Sequence, residues 1–208
     1  MYGNIFQVND LSNIKVENFN GSQIYTMDNF YKYPEDVLSI LLTVKEPELW
    51  KKEDSLSYNG IYFADHRHKF DVEEFRSVGN RLAEICGQHS PAPATIKTNC
   101  VKLFDKQFND YENGYWGPHL DAGYNAIIYL NTVPTATNLY EQLEDDPWTT
   151  PEHYEPWRKK SKYKIIKQLD GKFNRLIMFD GAKFLHGMDI SNDDFFNIHR
   201  INQVLFFR

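Results

Sequence analysis

A succession of short β-prone runs in the second half of the chain constrains its fold more than any other feature. Lys97–Phe104 (KTNCVKLF), Trp116–Asp121, Asn125–Asn131 (NAIIYLN), Tyr163–Leu169, Arg175–Asp180, Lys183–Ile190 and Ile201–Phe207 are rich in β-branched and aromatic side chains. The turn-forming pairs Asn113-Gly114, Asp170-Gly171 and Asp180-Gly181 lie between them. Many short strands separated by polar turns predict a β-sandwich or jelly roll. An aromatic content of 15% suits the flat faces of such sheets.

The first half reads differently. Ile24–Phe30 predicts a short strand. Pro34 opens a helical pattern in which Val37, Leu38, Leu41, Leu42 and Val44 recur at steps of three and four. A stronger amphipathic helix is predicted over Asp71–Cys86, with Val72, Phe75, Val78, Leu82, Ile85 and Cys86 on its apolar stripe. Asp71, Glu73 and Glu74 stand at its start, where the helix dipole favours negative charge. The Ser90-Pro91-Ala92-Pro93 stretch then breaks the pattern. With 208 residues the chain suits one domain. The expected class is mainly β with N-terminal helices (α+β). Residues 1–93 form a helical or mixed support and residues 94–208 the β core. An insert is expected at about 134–162, acidic, aromatic and too irregular for a hairpin loop.

Bulk properties exclude some functions. The net charge of −6 disfavours nucleic acid as a partner. Two cysteines, Cys86 and Cys100, make no disulfide framework and no CxxC pair, so free thiols in a reducing compartment are expected. The N-terminal residues do not read as a signal peptide, and no apolar run is long enough to cross a bilayer. The expectation is an intracellular protein without membrane contact.

The chemistry-bearing residues begin with Gly117-Pro118-His119-Leu120-Asp121. In an extended strand, residues two apart share a face, which would present an imidazole and a carboxylate together. That is two thirds of the facial triad that holds non-haem iron(II). His186 lies in an otherwise apolar strand and is the candidate third ligand; a satisfied core histidine is the plain alternative. Arg200 opens the last, mostly apolar strand, and a buried arginine is costly unless an anion meets it. A dicarboxylate would suit its planar fork, whereas pairing with Asp193 or Asp194 is the plain alternative. Ser191-Asn192-Asp193-Asp194 predicts a turn that would make a hairpin of the last two strands.

These residues, in this order, resemble the metal-binding core of prolyl-4-hydroxylase-like iron(II)- and 2-oxoglutarate-dependent oxygenases. The likeness rests on His119-Leu120-Asp121, the Asn125–Asn131 strand, Arg175–Asp180, His186 and Arg200, preceded by Asp28-Asn29-Phe30. The resemblance implies a double-stranded β-helix with iron(II) held by His119, Asp121 and His186. It implies that 2-oxoglutarate is anchored by Arg200 and the hydroxyl of Tyr129, with O2 as co-substrate and ascorbate as an accessory reductant. The implied reaction hydroxylates a C–H bond of a peptide or protein side chain such as proline, or of a small molecule. Bacterial and phage members of the superfamily share this general look. The chain departs from the family in three places. Thr135-Ala136-Thr137-Asn138 stands where a Gly-Gly pair is common, the spacing from Asp121 to His186 is large, and Phe104 replaces a tyrosine of some relatives. Asp121 itself argues against the halogenating branch, which lacks that carboxylate.

Two rival readings are a jelly-roll metal enzyme that uses no 2-oxoglutarate, and a binding module on a retired oxygenase scaffold. Asp65-His66-Arg67-His68 reads as a polar loop, and His153 as an exposed residue of the insert. His199 would point away from Arg200 across the strand. The basic run Arg158–Lys164 reads as a solvated stretch that balances the acidic segment before it.

Overall fold

The computed structural model describes residues 5–43, 51–52, 56–58, 61–63, 66–67, 73–88, 97–101, 112–147, 157–189, 194 and 200–207. In chain order the strands and helices are β1 (Lys15–Phe19), β2 (Ser22–Met27), α1 (Pro34–Thr43), β3 (Lys51–Lys52), β4 (Leu56–Tyr58), β5 (Ile61–Phe63), β6 (His66–Arg67) and α2 (Glu73–Ile85). They continue with β7 (Lys97–Val101), β8 (Gly114–Trp116), β9 (Tyr124–Tyr129), β10 (Thr135–Gln142), β11 (Trp157–Lys159), β12 (Tyr163–Gly171), β13 (Arg175–Asp180), β14 (Leu185–Asp189) and β15 (Arg200–Phe207). The protein is mostly β, in antiparallel sheets with few helices, as expected for a sandwich or jelly roll.

A six-stranded sheet runs β1-β2-β13-β9-β15-β7, and a three-stranded sheet runs β12-β10-β14. Strand β9 explains how they pack. Ala126, Ile128 and Leu130 point to one side, where they meet Leu82, Ala83 and Cys86 of the α2 region, Val37 of α1 and the N-terminal Phe6, Phe30 and Tyr31. Ile127 and Tyr129 point to the other side, where they meet Leu139 of β10, Leu169 of β12 and Phe184. The large sheet is therefore covered on both faces, by the helices and by the small sheet. This is why NAIIYLN is apolar almost throughout instead of alternating with polar residues. Burial of each such aliphatic side chain contributes about 1.5–3 kcal/mol before the entropy of ordering is counted.

Several sequence expectations are corrected. The predicted insert is not one at its start. Thr135–Gln142 is the central strand of the small sheet, paired to β12 on one side and β14 on the other, and Thr135 to Tyr140 are all buried. The Lys183–Ile190 and Ile201–Phe207 segments do not form a hairpin with each other: β14 pairs with β10, whereas β15 pairs with β9 and β7 in the facing sheet. Asp170-Gly171 is not a turn. Both residues end β12, and a Cβ on Gly171 would fall 2.5 Å from the Tyr129 ring. The reversal comes after them, closed by the Arg175 N–H on the Lys172 carbonyl, with Asn174 at φ 61°. On α2, Ile85 is 37% exposed and Ala83 takes its place in the buried stripe. Asp71, Val72, Ser90–Pro93, Phe104, His153, His199 and the Ser191–Asp193 part of the predicted turn lie outside the described residues, as do the side chains of His66 and Cys100.

The basic run is only partly solvated. Arg158 is 7% exposed. Its Nε lies 2.9 Å from Asp146 Oδ2, and its Nη2 donates to the Asp146 and Pro147 carbonyls. Lys162 and the Tyr163 hydroxyl donate to the same carboxylate at 2.8 and 2.9 Å. Asp146→Ala removes the carboxylate that the buried guanidinium shares with Lys162 and Tyr163. It is expected to cost roughly 1–3 kcal/mol, readable as a lower denaturant midpoint at unchanged slope.

Candidate metal centre

Strand β8 ends at Trp116, so the expectation that Trp116–Asp121 forms one strand fails. Gly117 has φ +49° and Pro118 follows it, and neither continues a strand ladder. The chain is caught again at His119. The His119 N–H donates to the His186 carbonyl and the His186 N–H to the His119 carbonyl, both at 2.9 Å. Asp121 is fixed separately, its N–H donating to the Gly181 carbonyl at 2.9 Å. His119 and Asp121 thus converge through two tertiary hydrogen-bond anchors and not through strand alternation.

The three side chains meet. Asp121 Oδ2 lies 3.2 Å from His186 Nε2 and 3.7 Å from His119 Nε2, and the imidazole centroids are 4.4 Å apart. Three donors at right angles, each about 2.1 Å from one metal ion, would stand about 3 Å apart. Among the described residues this trio is the only His/Cys/Asp/Glu group of three with ligand atoms so close. His186 is buried, while His119 and Asp121 are partly exposed, which leaves one side open.

The proton positions favour a cation. His186 Nδ1 is 2.9 Å from the Phe184 carbonyl, and His119 Nδ1 is 2.5 Å from the Gly117 carbonyl. Each Nδ1 therefore carries the proton, since a bare nitrogen would face an acceptor. In the neutral ring each Nε2 then offers a lone pair toward the Asp121 carboxylate. Asp121 Oδ2 accepts instead from the Asn125 amide at 2.6 Å, which favours the ionised carboxylate. Burial pushes His186 below the ordinary histidine value, so its imidazole is neutral near pH 7. Two lone pairs and a carboxylate oxygen converging within a few ångströms repel one another unless a positive ion sits among them. The donor set, two imidazoles and one carboxylate with no thiolate, fits iron(II). It also fits a catalytic zinc ion.

The other two predicted residues lie farther along the same sandwich interior. Arg200 is 3% exposed. Its Nε donates to Thr135 Oγ1 at 2.8 Å, its Nη1 to Asn202 Oδ1 at 2.6 Å and its Nη2 to the Ala136 carbonyl at 3.3 Å. All three acceptors are neutral. Among the described residues no carboxylate lies within ion-pair distance, so the expected alternative of an ordinary surface ion pair is not what Arg200 makes there. A guanidinium has five N–H donors, and three partners leave capacity unused. Burial lowers the Arg200 pKa. Tyr129 is fully buried beneath it, with the guanidinium carbon 5.6 Å from the ring centre. The Tyr129 hydroxyl shares a hydrogen bond with Thr137 Oγ1 at 2.6 Å.

Sequence reasoning missed Thr135, Thr137, Asn202 and Asn125. The first two sat in the supposed insert. Asn202 and Asn125 carry a usable signal, being polar residues at positions of apolar strands that face the sandwich interior. Gly187 is the other unnoticed residue. A Cβ there would lie 2.3 Å from the Trp116 carbonyl oxygen. Gly187→Ala is expected to force β8 off β14 beside the His119–His186 bridge. Thermal unfolding should register a loss of roughly 1–3 kcal/mol, with a parallel loss of metal affinity in a titration.

No protein-family profile matches the chain, and no curated protein matches it.

Proposed function

We propose that this protein is an iron(II)- and 2-oxoglutarate-dependent oxygenase on a double-stranded β-helix. The observation that carries the reading is the pairing of two sites inside one sandwich: a His-Asp-His trio with converging lone pairs, and a buried arginine that meets no carboxylate among the described residues. The trio alone would equally suit a hydrolytic metal enzyme. The arginine asks for an anionic guest, and a dicarboxylate chelating the metal at one end can supply it.

The strand order supports the scaffold. Eight strands are counted by taking β7, β8, β9, β10, β12, β13, β14 and β15 in turn. The large sheet then holds the first, eighth, third and sixth as neighbours. The small sheet holds the seventh, fourth and fifth; the second pairs with β11, and the segment that follows it meets the seventh at the single His119–His186 bridge. First with eighth, second with seventh, third with sixth and fourth with fifth is the winding of a jelly roll.

His119, Asp121 and His186 would hold the metal, and Arg200, over Tyr129 and beside Thr135, would hold the far carboxylate of the co-substrate. Iron(II), when bound with 2-oxoglutarate, supplies oxidation of an unactivated C–H bond by O2, with release of succinate and carbon dioxide. The chain supplies the rest. The backbone bridge and the two Nδ1 bonds fix both imidazoles before any ligand arrives. The Phe179 ring, centred 4.9 Å from that of His186, shields the buried side of the imidazole from water. A peptide or protein side chain such as proline is the proposed substrate class, with ascorbate as reductant for uncoupled turnovers. No helix among the described residues is long and apolar enough to cross a membrane.

The test is an anaerobic titration of metal-free protein with iron(II) and 2-oxoglutarate, following the visible charge-transfer band of the chelated keto acid. A saturable band supports the reading. Iron binding without a band points to a metal enzyme that does not use 2-oxoglutarate. Absence of iron binding points to a retired binding module.

A further inference from the structure

Asn125 opens the interior-facing row of β9 that continues with Ile127 and Tyr129, and it is 2% exposed. Its Nδ2 donates to Asp121 Oδ2 at 2.6 Å and lies 3.0 Å from His186 Nε2. The orientation of this amide follows from its neighbours. Turned over, its oxygen would face the Asp121 carboxylate at hydrogen-bond distance, acceptor against acceptor. With Nδ2 on that side, its second N–H points at His186 Nε2, which must then be a lone pair. That agrees with the His186 Nδ1–H bonded to the Phe184 carbonyl. The amide oxygen, by contrast, is buried and has no hydrogen-bond partner. A buried acceptor left without a partner is destabilising, so for stability alone an apolar residue of the same shape would serve better. The neighbouring backbone is also shaped around this side chain: a Cβ on Gly181 would fall 2.8–3.0 Å from the Asn125 amide atoms.

We infer that Asn125 is a positioning residue that presets two of the three metal ligands, orienting the Asp121 carboxylate and holding His186 in the tautomer whose Nε2 is free to bind metal. The inference rests on the proposed metal centre and extends it to a residue outside the ligand trio. Its action is through Asp121 and His186, because one amide nitrogen reaches both ligand atoms at once. When a metal takes the Nε2 lone pair, the bond to His186 is given up and the bond to Asp121 remains. Loss of an outer partner of this kind typically weakens metal affinity about 10–100-fold.

The experiment compares the wild-type protein with Asn125→Leu, which keeps the shape and removes both polar atoms, and with Asn125→Ala as a second variant. Three readouts are taken: the melting temperature of the metal-free protein, the 15N shifts of His186 in the metal-free protein, and the affinity for cobalt(II) as an iron(II) probe. The expected result is a melting temperature for Asn125→Leu equal to or above wild type. His186 should move from the Nδ1–H form toward the Nε2–H form, and cobalt should bind about 10–100-fold more weakly. A purely structural role would lower the melting temperature and leave the tautomer alone, which overturns the inference. Unchanged cobalt affinity in both variants overturns it as well. If the wild-type protein binds no cobalt, the metal centre itself fails and the inference falls with it. That outcome is told apart by the wild-type titration alone.

Discussion

Asp121→Ala is expected to leave a folded protein that holds iron(II) far more weakly and turns over no substrate. Asp121 is the sole carboxylate of the trio and the atom on which both imidazoles converge, at 3.2 and 3.7 Å. Without it the two histidines offer a divalent ion no negative charge. The loss should exceed by a wide margin the ~10–100-fold seen when only an outer partner is removed. The fold should survive, because Asp121 is tied to Gly181 through its backbone N–H, which alanine retains. Removing the carboxylate also frees the Asn125 amide it accepted from, so a modest change in melting temperature is expected. Isothermal titration with iron(II) beside a thermal melt separates the two effects. Undiminished iron binding in a folded Asp121→Ala protein would remove Asp121 from the site.

Arg200→Leu is expected to raise the concentration of 2-oxoglutarate needed for half-saturation by roughly 10²–10³-fold, as for truncation of one partner of a buried charge pair, while iron affinity stays within a few-fold. Stability should move little. The substitution forfeits hydrogen bonds to Thr135, Asn202 and the Ala136 carbonyl, but it also removes a buried charge that no described carboxylate meets at ion-pair distance, Asp189 acting on it only from farther away. Melting curves with and without the co-substrate give the decisive comparison. In wild type the ligand should raise the melting temperature by mass action; in the variant it should not. Equal co-substrate dependence in the two proteins would exclude Arg200 as the anchor.

The sequence was most informative where local physics sufficed. The apolar run Asn125–Leu130 announced a strand buried on both faces, and the three-and-four spacing before Cys86 announced α2, apart from the exchange of Ile85 for Ala83. The His119, Asp121 and His186 trio was legible from residue types and order, although for a partly wrong reason. Strand alternation was expected to align His119 with Asp121. Tertiary hydrogen bonds to His186 and Gly181 do so instead. Pairing partners were not legible. Proximity in sequence suggested a hairpin between β14 and β15, whereas β14 pairs in the three-stranded sheet and β15 in the six-stranded one. Thr135–Tyr140 was misread because its β-branched alternation was outweighed by the acidic, proline-containing residues that follow. Asp170-Gly171 looked like a turn because glycine is ambiguous: here it makes room for the Tyr129 ring rather than for a reversed backbone.

Strand β9 also fixes a length. Its interior row carries Asn125 beside the ligand trio and Tyr129 beneath Arg200, four residues or about 13 Å apart along the backbone. Both ends belong to one strand hydrogen-bonded on each side, to β13 and to β15. A shift of the whole strand would carry them together and leave their separation intact. β9 then behaves as a gauge block, keeping the neighbour of the trio and the neighbour of the buried arginine at one fixed spacing.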